Sequence, residues 1–170
     1  VSNSATPPVD SKLFRSIFGH LPTGVVIVTG KGQSDEPLGI TIGSFASISL
    51  DPPLAGFFIG RTSRTWPLIA ARGTFTANVL NAAQAELCWR FAKDATDGSR
   101  FTGLQVGTSA NGSPVLPDVV ATIDCNVHTT HVVGDHDLVV GAVTDVQARN
   151  TSHPSMVFYK GKTGDARIDT

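Results

Sequence analysis

Charge of either sign is scarce in this chain. Lys and Arg number 13 against 14 Asp and Glu among 170 residues, giving a net charge of -1 and a charged fraction of 16%; soluble domains usually carry roughly 25%. With no basic excess and no Lys/Arg run, nothing is present to neutralise a phosphate backbone, so nucleic acid is not an expected partner. Cysteine is nearly absent. Cys88 and Cys125 cannot by themselves build a disulfide framework or a zinc site, and their apolar neighbours in sequence fit buried free thiols. Long hydrophobic runs are missing too: none approaches the ~20 residues that span a bilayer, and Val1 to Pro8 is a polar, Pro-containing tail without a charged start or apolar centre. The chain is therefore expected to be cytoplasmic and without a membrane partner. It reads as one domain, with a flexible tail over residues 1–10 and a core over about 12–162. Low charge beside 41% hydrophobic residues implies surface buried against another molecule, most economically a second copy of the chain.

The patterning is mostly that of strands. Asp10 to Phe18 places Leu13, Phe14, Ile17 and Phe18 on one helical stripe, with Asp10 or Ser11 as N-cap and Gly19 as stop. Gly24 to Thr29 is a β-branched run followed by a turn cluster from Gly30 to Pro37. Leu38 to Leu50 interleaves Thr41, Ser44, Ser47 and Ser49 with apolar residues, which predicts a strand with a core face and a hydroxyl face. Asp51-Pro52-Pro53 breaks it, and Leu54 to Ile59 starts another strand. Thr62 or Ser63 can cap a short helix through Ala71, Thr74 to Leu80 reads as a strand, and Ala82 to Ala92 as an amphipathic helix. Lys93 to Pro117 is rich in Gly, Ser, Thr and Asp and predicts a long functional surface excursion. Strands near Val119 to His131, Leu138 to Ala148 and Met156 to Tyr159 close the chain. Many strands, few helices and no βα alternation predict a mainly β fold, a closed antiparallel barrel with a few flanking helices.

Two segments could carry chemistry. The hydroxyls from Thr41 to Ser49, with Thr62, Ser63, Arg64 and Thr65 one strand later, offer hydroxyl groups, a guanidinium and helix-start amides. Those are what a phosphate ester needs in a protein without a basic patch. The bland alternative makes Thr62 or Ser63 an ordinary N-cap and the others solvent-facing strand residues. Gly134-Asp135-His136-Asp137 is a polar turn between apolar strands, in which Asp135 can orient the His136 imidazole or only bond its own backbone. His128 and His131 lie three apart on a strand and so face opposite ways, which argues against a metal pair; no metal site is expected. Gly30-Lys31-Gly32 lacks the third glycine of a dinucleotide-binding loop, Asp35 standing there, and no Gly-x-Ser-x-Gly elbow occurs.

Taken in order, several motifs resemble the flavin reductase family that supplies reduced flavin to two-component monooxygenases. They are Phe14-Arg15 with Pro22-Thr23-Gly24-Val25; Gly39-Ile40-Thr41-Ile42-Gly43-Ser44-Phe45-Ala46-Ser47-Ile48-Ser49-Leu50-Asp51-Pro52-Pro53-Leu54; and Phe75-Thr76-Ala77-Asn78-Val79-Leu80 leading to Gln84. Arg90-Phe91-Ala92, Arg100-Phe101-Thr102-Gly103, Cys125 and Gly134-Asp135-His136 continue the series, so that the match runs from about Phe14 to Gly161.

The resemblance implies a Greek-key split β-barrel that reduces FMN or FAD with NADH or NADPH, and a separate oxygenase component as partner. On it, Gly39 and the stretch holding Thr41, Ile42, Gly43, Ser44 and Ser47 line the isoalloxazine ring and ribityl chain. Ile42 and Gly43 stand where many members have a small polar residue, so backbone would serve there. Ser63, Arg64 and Thr65 hold the flavin phosphate, Phe91, Ala92 and Lys93 flank the cofactor's far end, and Gly134, Asp135 and His136 meet the nicotinamide side. His136 is the catalytic candidate. A homodimer with flavin sites near its interface is expected, because a small barrel has a filled interior and must bind flavin on its outer wall. The competing reading keeps the same barrel as a non-catalytic flavin- or haem-binding protein. Pyridoxamine-phosphate oxidation on a related barrel would call for a cationic cluster that the sequence does not show.

Overall fold

The structure, a computed structural model described for residues 9–167, is built chiefly from antiparallel strands. Of the tail expected over residues 1–10, residues 1–8 lie outside the described residues, whereas Asp10 caps the first helix: α1, Ser11–Phe18, begins with its carboxylate accepting from the Leu13 N–H at 2.8 Å. The strands follow as β1 (Thr23–Gly24), β2 (Val26–Lys31), β3 (Pro37–Ile42), β4 (Ala46–Leu50) and β5 (Pro53–Gly60). After α2 (Trp66–Ala70) come β6 (Thr74–Val79), α3 (Ala85–Ala92), a 3₁₀ turn at Gly98–Phe101, and the short β7 (Gly107–Thr108) and β8 (Pro114–Val115). Two 13-residue strands, β9 (Ala121–Val133) and β10 (His136–Ala148), precede β11 (Met156–Tyr159) and β12 (Lys162–Asp165).

Seven strands form one antiparallel sheet in the order β3-β2-β6-β9-β10-β5-β4. Neighbours that are not consecutive in sequence make this a Greek-key arrangement. The sheet is rolled. Val28, Leu38, Phe57, Phe75, Cys125 and Val139, contributed by six different strands, share one buried core, which a flat sheet cannot arrange because its strands would face neighbours only. Register shifts in β9 and β10 help bend it. At the β3–β4 corner, Ser44 Oγ accepts from the Phe58 N–H at 3.0 Å and lies 3.2 Å from the Phe58 carbonyl, tying the corner to β5.

β2 explains why the sequence from Val25 to Val28 is apolar at every position. Val26 and Val28 face the barrel interior, while Val25 and Ile27 face a second core beneath α3, built with Leu80, Phe91, Phe101 and Leu116. A strand buried on both faces has no polar side to show.

The expected excursion from Lys93 to Pro117 does run largely over the surface, but it is docked at two places. Arg100, Phe101, Ser113, Val115 and Leu116 are buried, and polar pairs dock the segment onto β2 and β6. Asn78 Oδ1 accepts from the Leu116 N–H at 2.9 Å, Thr29 donates to the Pro114 carbonyl, and Asn111 Nδ2 donates to the Phe75 carbonyl at 2.9 Å. Part of its polar composition thus satisfies buried backbone, while the rest faces solvent. β12 was not anticipated. A turn with positive φ at Lys160 and Gly161 folds it back on β11.

Candidate functional site

The β10–β5 register brings the most separated candidates together. His136 pairs with Gly60, so the Gly134-Asp135-His136 turn stands over the end of β5 and the loop that follows it. Gly134 takes a left-handed conformation (φ 63°) that permits the tight reversal. Asp135 Oδ1 lies 2.7 Å from His136 Nδ1. That hydrogen bond, and then the imidazole's charge, hold the Asp135 carboxyl below the usual carboxylate range. The other nitrogen, Nε2, is left to face the site: a Cβ on Gly60 would stand 3.9 Å from both His136 Nε2 and Thr62 Oγ1. The Arg61 N–H donates to the Asp135 carbonyl at 3.1 Å, fastening the turn to the loop.

Below this turn, Ile40, Gly60, Thr62, Ser63, Ala92 and Asp94 line a cleft of about 320 Å³. Its lining combines apolar Ile40 and Ala92 with the Thr62 and Ser63 hydroxyls and the Asp94 carboxylate, to which the Arg64 guanidinium is paired. The expected residues Ser63 and Ala92 thus meet here, with Gly134, Asp135 and His136 above. Ser63 Oγ accepts from the Trp66 N–H at 3.2 Å, but the N-cap of α2 is Thr65 rather than Thr62 or Ser63. Arg64 is largely exposed and donates through Nε to Asp94 Oδ2 at 2.7 Å. Partial burial pushes Asp94 upward, but bonds from Arg64 and Thr65 and the charge of Arg64 outweigh it and hold the carboxyl low.

Gly43, Ser44 and Ser47 lie along the neighbouring edge rather than in the cleft. Ser44 is bound to Phe58, two residues before Gly60, and Ser47 pairs with Ala55. Lys93 is on the other side of the extended stretch that leaves α3, in a larger hollow of about 660 Å³ with Glu86, Trp89 and Arg90.

Five residues expected to contact the cofactor engage their side chains, or the space beside them, in packing within the chain. Gly39 is buried, and a Cβ there would come within 2.9 Å of the Phe91 ring; it makes room for α3. Thr41 faces the same way and donates to the Cys88 carbonyl at 2.8 Å. Ile42 points into the barrel core. Phe91 is fully buried, edge-on to Phe101 at 4.9 Å. Thr65 is fully buried as well: its hydroxyl lies 2.8 Å from Asp94 Oδ1 and 2.6 Å from the Ala95 carbonyl and accepts from Arg100 Nη2 at 3.1 Å. On β3, period-two alternation turns Gly39 and Thr41 toward α3 and Ile42 into the interior.

Thr62, a candidate from its hydroxyl, does line the cleft, whereas Gly60, Ile40, Asp94 and Arg100 were not singled out as contributors. Gly60 could have been reached by pairing the Gly134 turn onto the preceding hairpin strand. Asp94 and Arg100 carry no local signal. Both cysteines are buried and free; desolvation, and next the Asp124 charge, push the Cys125 thiol up to about 12.

Comparison with known proteins bears on what binds here. The flavin reductase like domain profile matches residues 18–167. A flavin reductase of Pseudomonas putida is 40% identical over 156 residues, covering 92% of this chain and 90% of the relative. The reductase subunit HsaB of a flavin-dependent monooxygenase from Mycobacterium tuberculosis is 37% identical over 154 residues, covering 90% and 81%. The solved NADH:FAD oxidoreductase SgcE6 of Streptomyces globisporus C-1027, in complex with NAD and FAD fragments, superposes with a TM-score of 0.86 at 30% identity, covering 98% of each chain.

Proposed function

From the premise that the chain belongs to the flavin reductase family, we propose that it uses a reduced pyridine nucleotide to reduce free FMN or FAD and releases the product to a separate oxygenase. Hydride transfer between nicotinamide and flavin is chemistry of the two ring systems, and the protein supplies position and exclusion of water. The observation that carries this reading is the His136–Gly60 register, which stands an imidazole over a cleft lined by hydroxyls and flanked by a guanidinium. Ser63 and Thr62 offer hydroxyls to the flavin phosphate, and Arg64 offers the exposed edge of its guanidinium. Ser44, Ser47 and the backbone at Gly43 lie beside the ring along β5. His136, oriented by Asp135, contacts the nucleotide through Nε2. The relative named for NADH and FAD supports that pair for this chain, and the monooxygenase reductase subunit supports a separate oxygenase component.

The active unit in this reading is a homodimer. Every residue of α1 is exposed, and Leu13, Phe14, Ile17 and Phe18 form an apolar face that no other element of the described residues covers. A second copy would bury that face and shield the flavin ring from water.

Steady oxidation of NADH after addition of a large excess of FMN or FAD, continuing for many turnovers per protein, is the expected result. A single stoichiometric turnover, or none, would instead mark a storage or sensing protein. Arg64→Ala should weaken FMN binding about tenfold with riboflavin unaffected, since only FMN carries the phosphate; equal loss for both would put the phosphate elsewhere.

A further inference from the structure

We propose that Asp94 competes with the flavin phosphate for Arg64 and thereby keeps flavin an exchangeable substrate instead of a resident group; this rests on the reading that Arg64 receives that phosphate. The carboxylate already occupies the guanidinium. Arg64 Nε donates to Asp94 Oδ2 at 2.7 Å while the rest of its side chain is open to solvent, 71% exposed. Asp94 is also a wall of the cleft, beside Ser63 and Ala92. An anion approaching Arg64 from the cleft therefore meets a negative charge at hydrogen-bond distance from its own binding partner, and like charges so placed repel.

The carboxylate cannot simply swing away. Asp94 Oδ1 is held by the Thr65 hydroxyl at 2.8 Å, and the backbone on both sides of Asp94 is clamped from below by Arg100. That guanidinium, only 6% exposed, donates through Nη1 to the Lys93 carbonyl at 2.5 Å and the Phe91 carbonyl at 3.1 Å, and through Nη2 to the Ala95 carbonyl at 2.9 Å. A planar fork that binds the carbonyls before and after residue 94 fixes that residue's position. Its charge also balances the buried side of Asp94. The result is a permanent internal rival for one cation, set against the phosphate and indifferent to the ring. Riboflavin, which lacks the phosphate, should not sense it.

Asp94→Asn tests this, because it keeps the size and one of the two acceptor oxygens while removing the charge. Fluorescence titration of oxidised flavins should show FMN bound about tenfold more tightly by the variant than by the unaltered protein, about 1.4 kcal/mol, with riboflavin unchanged. The difference should shrink as salt is raised. Asp94→Ser, a second neutral variant, should move FMN the same way, which guards against a defect peculiar to the amide. If Arg64→Ala weakens FMN selectively but neither Asp94 variant tightens it, or if riboflavin shifts as much as FMN, the role of Asp94 is overturned and the phosphate reading stands. If Arg64→Ala leaves FMN binding unchanged, the phosphate reading itself fails and the proposal falls with it.

Discussion

The rolled sheet has two outer walls of opposite character. Over β2, β3 and β6 the chain covers itself, with α3 and the segment through β7 and β8, and there the hydroxyls and amides are consumed by packing: Thr29, Thr41, Thr76 and Asn78 all bond to backbone or to buried side chains. Over β4, β5 and the far end of β9 and β10, no other part of the described chain lies on the sheet. Ile48 (51%), Phe58 (46%) and Val132 (66%) remain exposed, and the cleft under the Gly134 turn opens beside them. The same residue types thus serve opposite ends. A hydroxyl on a covered wall replaces water for a buried carbonyl, whereas one on an open wall is available to a ligand or a second subunit.

Breaking the covered wall should have the largest effect. Asn78→Leu leaves the Leu116 N–H and the Ile27 carbonyl without their partner and should cost about 3 kcal/mol of stability. Urea denaturation would show it as a lowered midpoint, and an unchanged midpoint would mean that the segment docks without this bond. On the open wall, Ile17→Glu places a charge in the exposed face of α1. It should convert the proposed homodimer to a monomer in light scattering and reduce flavin turnover roughly tenfold, with the monomer's fold intact because Ile17 supports no internal core.

His136→Ala sharpens the contrast further. It should raise KM for the nucleotide about tenfold while leaving flavin affinity and thermal stability unaltered, because the ring is exposed and bonded only to Asp135. Lost flavin binding with unchanged nucleotide KM would put the turn on the wrong side of the cleft. The smallest effect concerns the interior shared by both walls. Cys125 has its thiol raised from 9.0 to about 12, so the unfolded chain ionises first. The thiol's contribution is intact below pH 9 and is lost as pH rises from there toward 12. Cys125→Ala should flatten that part of a stability-against-pH curve, and an identical alkaline limb would show that the thiol does not govern it.

Much of the fold was legible because periodicity and punctuation are local. Asp10 and Gly19 bracket α1, the β-branched run of β2 is bounded by turn residues, and Asp51-Pro52-Pro53 separates β4 from β5, all within a residue or two of expectation. The hairpin that carries Gly134-Asp135-His136 was equally visible, its glycine demanded by the turn. The candidate site was legible only in part. Ser63, Ala92 and the Gly134 turn converge, but Gly39, Thr41, Ile42, Thr65 and Phe91 turn inward, because which face of a strand or helix is covered depends on what packs there. Nothing near Asp94 or Arg100 in sequence announces that one guanidinium would clamp three carbonyls.

What the sequence alone determined, then, is most of the longer strands, several of the turns between them and the family motifs, since these depend on side-chain periodicity and backbone permissiveness over a few residues. The tertiary structure decided which hydroxyls are spent and which are free, and that Arg64 already has a carboxylate partner. Those outcomes depend on contacts between residues far apart in sequence, such as His136 with Gly60 and Arg100 with Thr65. Such contacts exist only after the sheet has rolled and the segment from Lys93 onward has docked.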